Sequence, residues 1–174
     1  MGLSPVTFYD LRYDQNNRSP IIFLKDTQSD RFLPVWIGEA EAISIEIASR
    51  GEAAPRPLTH DLMKRVLDQA GIRLVSVIID RLVGSVYYAT LVLEIGERTV
   101  EVDCRPSDGV ALAIREKAQI FVTDELMYNI KFVEMSSAEG MALEEAGDLE
   151  ASPEREIDFR QFLKRVRPSD FKEG

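Results

Sequence analysis

Three β-rich runs, Ile72 to Val83, Val86 to Ile95 and Arg98 to Cys104, are separated by only two residues each, Gly84-Ser85 and Gly96-Glu97. A two-residue connection can join only antiparallel neighbours, because a parallel return needs a crossover of roughly a dozen residues or more. The middle of the chain is therefore committed to consecutive hairpins. Side chains alternate along a strand, so Val100, Val102 and Cys104 share one face of the last run while Glu101, Asp103 and Arg105 share the other. That alternation points Cys104 into the core. Pro106-Ser107-Asp108 then opens a helix carrying Val110, Ala111, Leu112 and Ile114, and Ile120 to Val122 makes a short strand behind it. The result is one βαβ crossover, and parallel pairing of its strands would make the sheet mixed.

Upstream, Val6 to Tyr13, Ile21 to Leu24 and Arg31 to Ile37 read as an antiparallel meander, with turn chemistry at Asp14 to Asn17 and Asp26 to Asp30. Pro34 confines the third strand to an edge or a bulge. Gly38 ends the meander, and apolar residues at 40, 43 and 47 with 42, 45 and 48 predict a helix to about Arg50 with Glu39, Glu41 and Glu46 toward solvent. After a Pro-containing link, Thr59 is the expected cap of a second helix, stapled by Leu58 and Met63. Its predicted buried stripe is Leu62, Val66 and Ala70 with Met63 and Leu67. Thr123 is expected to cap a short helix running to Ile130.

These elements predict an α+β domain over residues 1–133, in which helices pack on a mixed, mainly antiparallel sheet. From Glu134 to Glu150 there are six acidic residues and no basic one, the composition of a mobile linker. Ile157, Phe159, Phe162, Leu163 and Val166 then predict an amphipathic C-terminal helix within 151–174. A stripe of that kind must cover something, which makes a homodimer the expected assembly, through this helix or an exposed strand edge.

Composition narrows the surroundings of the chain more than its chemistry. A single cysteine among 174 residues excludes an intramolecular disulfide and a Cys-rich zinc site. It also suits a reducing compartment. No apolar run approaches the roughly 20 residues that span a bilayer, and the N-terminus lacks signal-peptide chemistry, so the expectation is a cytoplasmic protein with no membrane partner. The net charge of −9 argues against strong, sequence-blind attraction to polyanions. Residues 134–174 contribute −5 of it, so the folded body is only mildly acidic.

Two segments share a local grammar that carries chemistry: Arg56-Pro57-Leu58-Thr59-His60-Asp61 and Arg105-Pro106-Ser107-Asp108. Each sets an arginine just before a helix start, where free backbone N–H groups and the positive end of the helix dipole favour an anion. Arg56, Thr59, Arg105 and Ser107 are thus candidate substrate-binding residues for a phosphate. Asp61, Asp103 and Asp108 are candidate ligands for Mg²⁺ or Mn²⁺, which needs one or two protein carboxylates when substrate phosphates complete its shell. His60, the only histidine, could move a proton; with Asp61 and Asp108 it makes up the expected catalytic set. The same residues equally suit helix capping and internal ion pairing.

Leu33-Pro34-Val35-Trp36-Ile37-Gly38-Glu39-Ala40-Glu41-Ala42, Pro55 to Leu62 and Arg105 to Ala113, in that order, closely resemble the bifunctional nuclease family, over about Val6 to Met127. The resemblance implies a compact α+β domain and nuclease activity on DNA and RNA. The family's Pro-Arg-Pro-Leu-Thr-His-Asp motif falls on Pro55 to Asp61 and its Arg-Pro-Ser-Asp motif on Arg105 to Asp108, both intact. The alanine usual after the second motif is Gly109, which is expected only to loosen the helix start. The leading expectation is a nuclease that hydrolyses phosphodiester bonds of DNA, RNA or both with metal assistance, on a substrate bound weakly and salt-sensitively. The alternative is a non-enzymatic regulatory or anionic-ligand-binding module built on the same fold.

Overall fold

Gly84 and Gly96, with φ of 61° and 59°, open the two hairpin turns in the left-handed conformation that glycine adopts without steric cost. They close β4 (Ile72–Val83) onto β5 (Val86–Ile95) and β5 onto β6 (Arg98–Cys104). The computed structural model describes residues 2–14, 18–129 and 133–134. Upstream of the hairpins lie β1 (Leu3–Tyr13), β2 (Pro20–Asp26), β3 (Arg31–Trp36), α1 (Glu39–Ser49) and α2 (Thr59–Gln69). Downstream are α3 (Pro106–Glu116), β7 (Gln119–Thr123), α4 (Asp124–Asn129) and the two-residue β8 (Val133–Glu134). The expected helix within 151–174, and all of the acidic linker beyond Glu134, lie outside the described residues.

The strands form one mixed sheet in the order β6-β5-β4-β7-β1-β2-β3-β8. The last-made full strand unites it. After the helical crossover through α3, β7 enters between the two three-stranded meanders, parallel to β4 and antiparallel to β1. Ile120 and Val122 of β7 are buried against Val77, Ile79 and Val6, so the two meanders share one core. The crossover predicted from β6 to β7 is present, and it spans the two strands β5 and β4. Pro34 pairs with Phe23 of β2, and among the described residues β8 pairs only with Arg31 and Phe32 of β3. No helix among the described residues is long and apolar enough to cross a membrane.

The helix faces depart from expectation at α1 and α2. Glu41 does not face solvent: its side chain is 16% exposed and pairs with Arg105. Leu58, not Thr59, is the residue before the first turn of α2, and its backbone N–H donates to Asp61 Oδ2 at 2.8 Å. The stripe predicted to be buried is on the outside, with Leu62 57%, Met63 43% and Val66 57% exposed. The side of α2 turned inward is polar, carrying His60, Asp61 and Lys64, each bonded to α3. Amphipathicity correctly indicates a helix, but specific polar pairing rather than apolar burial decides which side meets the body.

The close fit of α3 to the sheet gives Gly109 a task that its sequence position does not reveal. A Cβ built there would stand 2.6 Å from Val77 Cγ1 of β4 and 3.4 Å from Cys104 Sγ. Gly109 therefore permits the helix to approach β4, and the loosening expected at the helix start is secondary. Gly109→Ala is expected to destabilise the protein by about 1–3 kcal/mol despite alanine's better helix propensity. A Val77→Ala background should recover part of that loss, and urea unfolding of the double-mutant cycle measures the coupling.

Candidate functional site

The two Arg-Pro motifs converge with α1 where the N-terminal turns of α2 and α3 meet. Backbone geometry brings the residues there: Arg105 precedes α3 in extended conformation with Pro106 at the first helical position, and Leu58 precedes α2 likewise. Asp108, in the first turn of α3, is the centre of the cluster. It accepts from Arg105 Nε at 2.7 Å and Nη2 at 3.0 Å, and its Oδ1 lies 3.1 Å from His60 Nε2. Arg105 Nη2 also donates to Glu41 Oε1 at 2.6 Å. Partial burial alone would raise the Asp108 carboxyl, but bonds and charge from Arg105, with His60, hold it below the usual carboxylate range.

His60 is buried, and its two ring nitrogens face different partners. Nδ1 is 2.9 Å from Ser44 Oγ of α1. An ionised Asp108 can only accept, so Nε2 carries a proton and donates to it. Ser44 Oγ also accepts from Arg115 Nη2 at 3.0 Å. A continuous chain of hydrogen bonds thus runs from Arg115 through Ser44 and His60 to Asp108.

Arg115, in the last turn of α3, is a residue that sequence reasoning missed. Its side chain is 6% exposed, and it donates through Nε to Asp61 Oδ1 at 2.7 Å, through Nη1 to the Ala111 carbonyl at 2.9 Å and through Nη2 to the Ser44 carbonyl at 3.1 Å. Burial works upward on Asp61, but the bonds from Arg115 and Leu58 N–H and the charges of Arg115 and Arg65 outweigh it, and its carboxyl is held low. Glu41 and Ser44 were also missed as site residues; their only signal is a three-residue spacing that puts them on one side of α1.

The expected residues are only partly brought together. His60, Asp61, Arg105 and Asp108 join one network, whereas Asp103 projects from the opposite face of β6 and lies 3.7 Å from Arg81. Arg56 and Thr59 are exposed, and Arg56 has no ion-pair partner among the described residues. Ser107 is buried. Cys104 packs against the core as expected, and burial, with Asp108 and Asp103 nearby, pushes its thiol up to about 12, so it is an inert neighbour. Among the described residues no three His, Cys, Asp or Glu side chains are placed to hold a metal ion.

The model of the bifunctional nuclease domain matches residues 22–135, which include both motifs and every member of the network. The chain belongs to the bifunctional nuclease domain family. An uncharacterized protein of Mycobacterium tuberculosis is 33% identical over 98% of this chain and 99% of its own length. Bifunctional nuclease 1 of Oryza sativa subsp. japonica is 32% identical over 68% of this chain, and bifunctional nuclease 1 of Arabidopsis thaliana 27% over 86%. The matched regions are 38% and 44% of those plant proteins, so the chain spans less than half of either.

Two outcomes follow from the network. Arg115→Met is expected to cost about 3–5 kcal/mol, because it leaves buried acceptors unpaired, and thermal unfolding with circular dichroism measures the loss. The depressed Asp61 and Asp108 carboxyls stabilise the fold fully above their unfolded value of about 4, and this contribution fades as pH falls through their lower folded values. Asp61→Asn should therefore flatten the acid limb of a stability–pH profile and leave its slope above neutrality unchanged.

Proposed function

We propose that this chain binds nucleic acid phosphate at Arg105 and hydrolyses phosphodiester bonds there, beside His60 and Asp108. The observation that carries this reading is the state of Arg105. Two carboxylates fix its guanidinium through Nε and Nη2, yet the side chain is 65% exposed and Nη1 has no partner among the described residues. A fixed guanidinium with a free outward N–H₂ group can bind a phosphate and offset the charge that grows on its oxygens in the transition state. His60 Nε2, which carries its proton 3.1 Å from Asp108, has the disposition of a general acid. To serve as one it must exchange Asp108 for the leaving oxygen.

Mg²⁺ or Mn²⁺ assistance rests on Asp61, Asp103 and Asp108, and their placement does not fit a shared ion. Each pairs with a different arginine: Arg115, Arg81 and Arg105 respectively. No step is therefore routed through a metal. Arg56, exposed in the link ahead of α2, is a second phosphate contact in this reading. With so few cations engaged, binding is weak and falls with salt.

A second reading is favoured by the saturation of the network. His60, Asp61 and Asp108 all have internal partners, as they would in a regulatory module that binds an anionic ligand at Arg105 without turning it over. Homodimer formation is likewise a proposal, checked by light scattering of the full chain.

Incubating the purified full chain with single- and double-stranded DNA and RNA separates the two readings. Hydrolysis that falls at least about 100-fold in both Arg105→Ala and Asp108→Asn supports the enzyme. Thermal stabilisation by nucleotides without turnover supports the module. Hydrolysis unaffected by either substitution places the activity elsewhere.

A further inference from the structure

We infer that Arg105 is the resident cation of this site, occupying the position between Glu41 and Asp108 that a divalent metal ion would otherwise take. The inference builds on the phosphate-binding role of Arg105 proposed above and concerns which cation serves it. Glu41 Oε1 and Asp108 Oδ1 lie 2.6 and 3.0 Å from the same nitrogen, Arg105 Nη2, and His60 Nε2 is 3.1 Å from that same Asp108 oxygen. Two carboxylates from two helices thus share one guanidinium nitrogen, and His60 from a third helix meets one of those carboxylates.

The carboxylate oxygens that a second cation would need are already bonded to Arg105. Glu41 and Asp108 supply two negative charges, Arg105 returns one positive charge, and His60 directs its Nε2 proton at Asp108. Asp61, the third carboxylate, is already neutralised by the buried Arg115. An entering dication would have to break three charge-assisted bonds of Arg105, expel the His60 proton from its bond to Asp108, or sit against a fixed guanidinium. Arg105 keeps Nη1 outward in the same pose, so the cation that fills the carboxylate pair also presents a donor to phosphate. Both carboxylates are therefore bridged by a cation without a metal, and nucleic acid bound there meets an arginine.

The test reads metal binding directly, so it stands whether or not the chain cleaves nucleic acid. The wild-type full chain, Arg105→Ala and Arg105→Gln are titrated with Mn²⁺ to millimolar concentration, followed by the loss of free-ion electron paramagnetic resonance signal and by thermal shift. Wild type should take up no Mn²⁺ at this site. Both variants, whose altered side chain is mostly exposed in wild type and which should remain folded by circular dichroism, should bind one ion and gain roughly 5 °C in Tm at saturation. Adding Glu41→Gln to either should abolish that gain. Mn²⁺ uptake by wild type that is lost in Glu41→Gln or Asp108→Asn would overturn the inference. Failure of both folded Arg105 variants to bind Mn²⁺ would overturn it as well, because the carboxylate pair would then not be a cation position. Any hydrolysis by wild type should persist in EDTA, and hydrolysis abolished by EDTA and restored by Mn²⁺ counts against the inference.

Discussion

A guanidinium buried where three helices meet is costly unless it is well paired, and each of the three nitrogens of Arg115 donates to a group from α1, α2 or α3. Its bonds reach Ser44 across 71 residues and Asp61 across 54. α1 buries Ala42, Ile43 and Ile45, whereas α2 keeps Leu62, Met63 and Val66 outward and buries only His60. The polar junction around Arg115 orients α2 instead. It holds Ser44 against one ring nitrogen of His60 while the other meets Asp108, and Asp108 in turn grips Arg105.

The same chain of bonds explains why the site has the character of a salt-bridge network. Every motif carboxylate on α2 and α3 is matched by an arginine from another part of the fold or from the same turn, and the lowered Asp61 and Asp108 carboxyls reflect that matching. What is left over for a ligand is cationic: the outward part of Arg105 and the exposed Arg56. A mildly acidic body can in this way offer a localised positive feature, which suits a phosphate contacted at one or two points better than a polyanion held along its length.

The hairpins, the Arg-Pro helix starts and the β6–α3–β7 crossover were legible in the chain because each depends on neighbours in sequence: two-residue turns, alternation over a few positions, a proline beside a cap. The orientation of α2 was not. Leu62, Val66 and Met63 have the spacing of a buried stripe, and nothing local distinguishes them from one. Glu41, too, has the pattern of a solvated helical glutamate until Arg105, 64 residues away, is placed beside it.

The sequence by itself determined the class of fold, the family and the identity of the motif residues, since periodicity, turn chemistry and motif order are written along one dimension. Only the tertiary structure decided how those residues combine: that β7 separates the two meanders, that Gly109 makes room for Val77, that Asp103 leaves the cluster, and that Arg115 enters it. The physical reason is the same in each case. Charge pairing and close packing depend on distances in space, and the partners concerned lie tens of residues apart in a chain whose local patterns carry no record of one another.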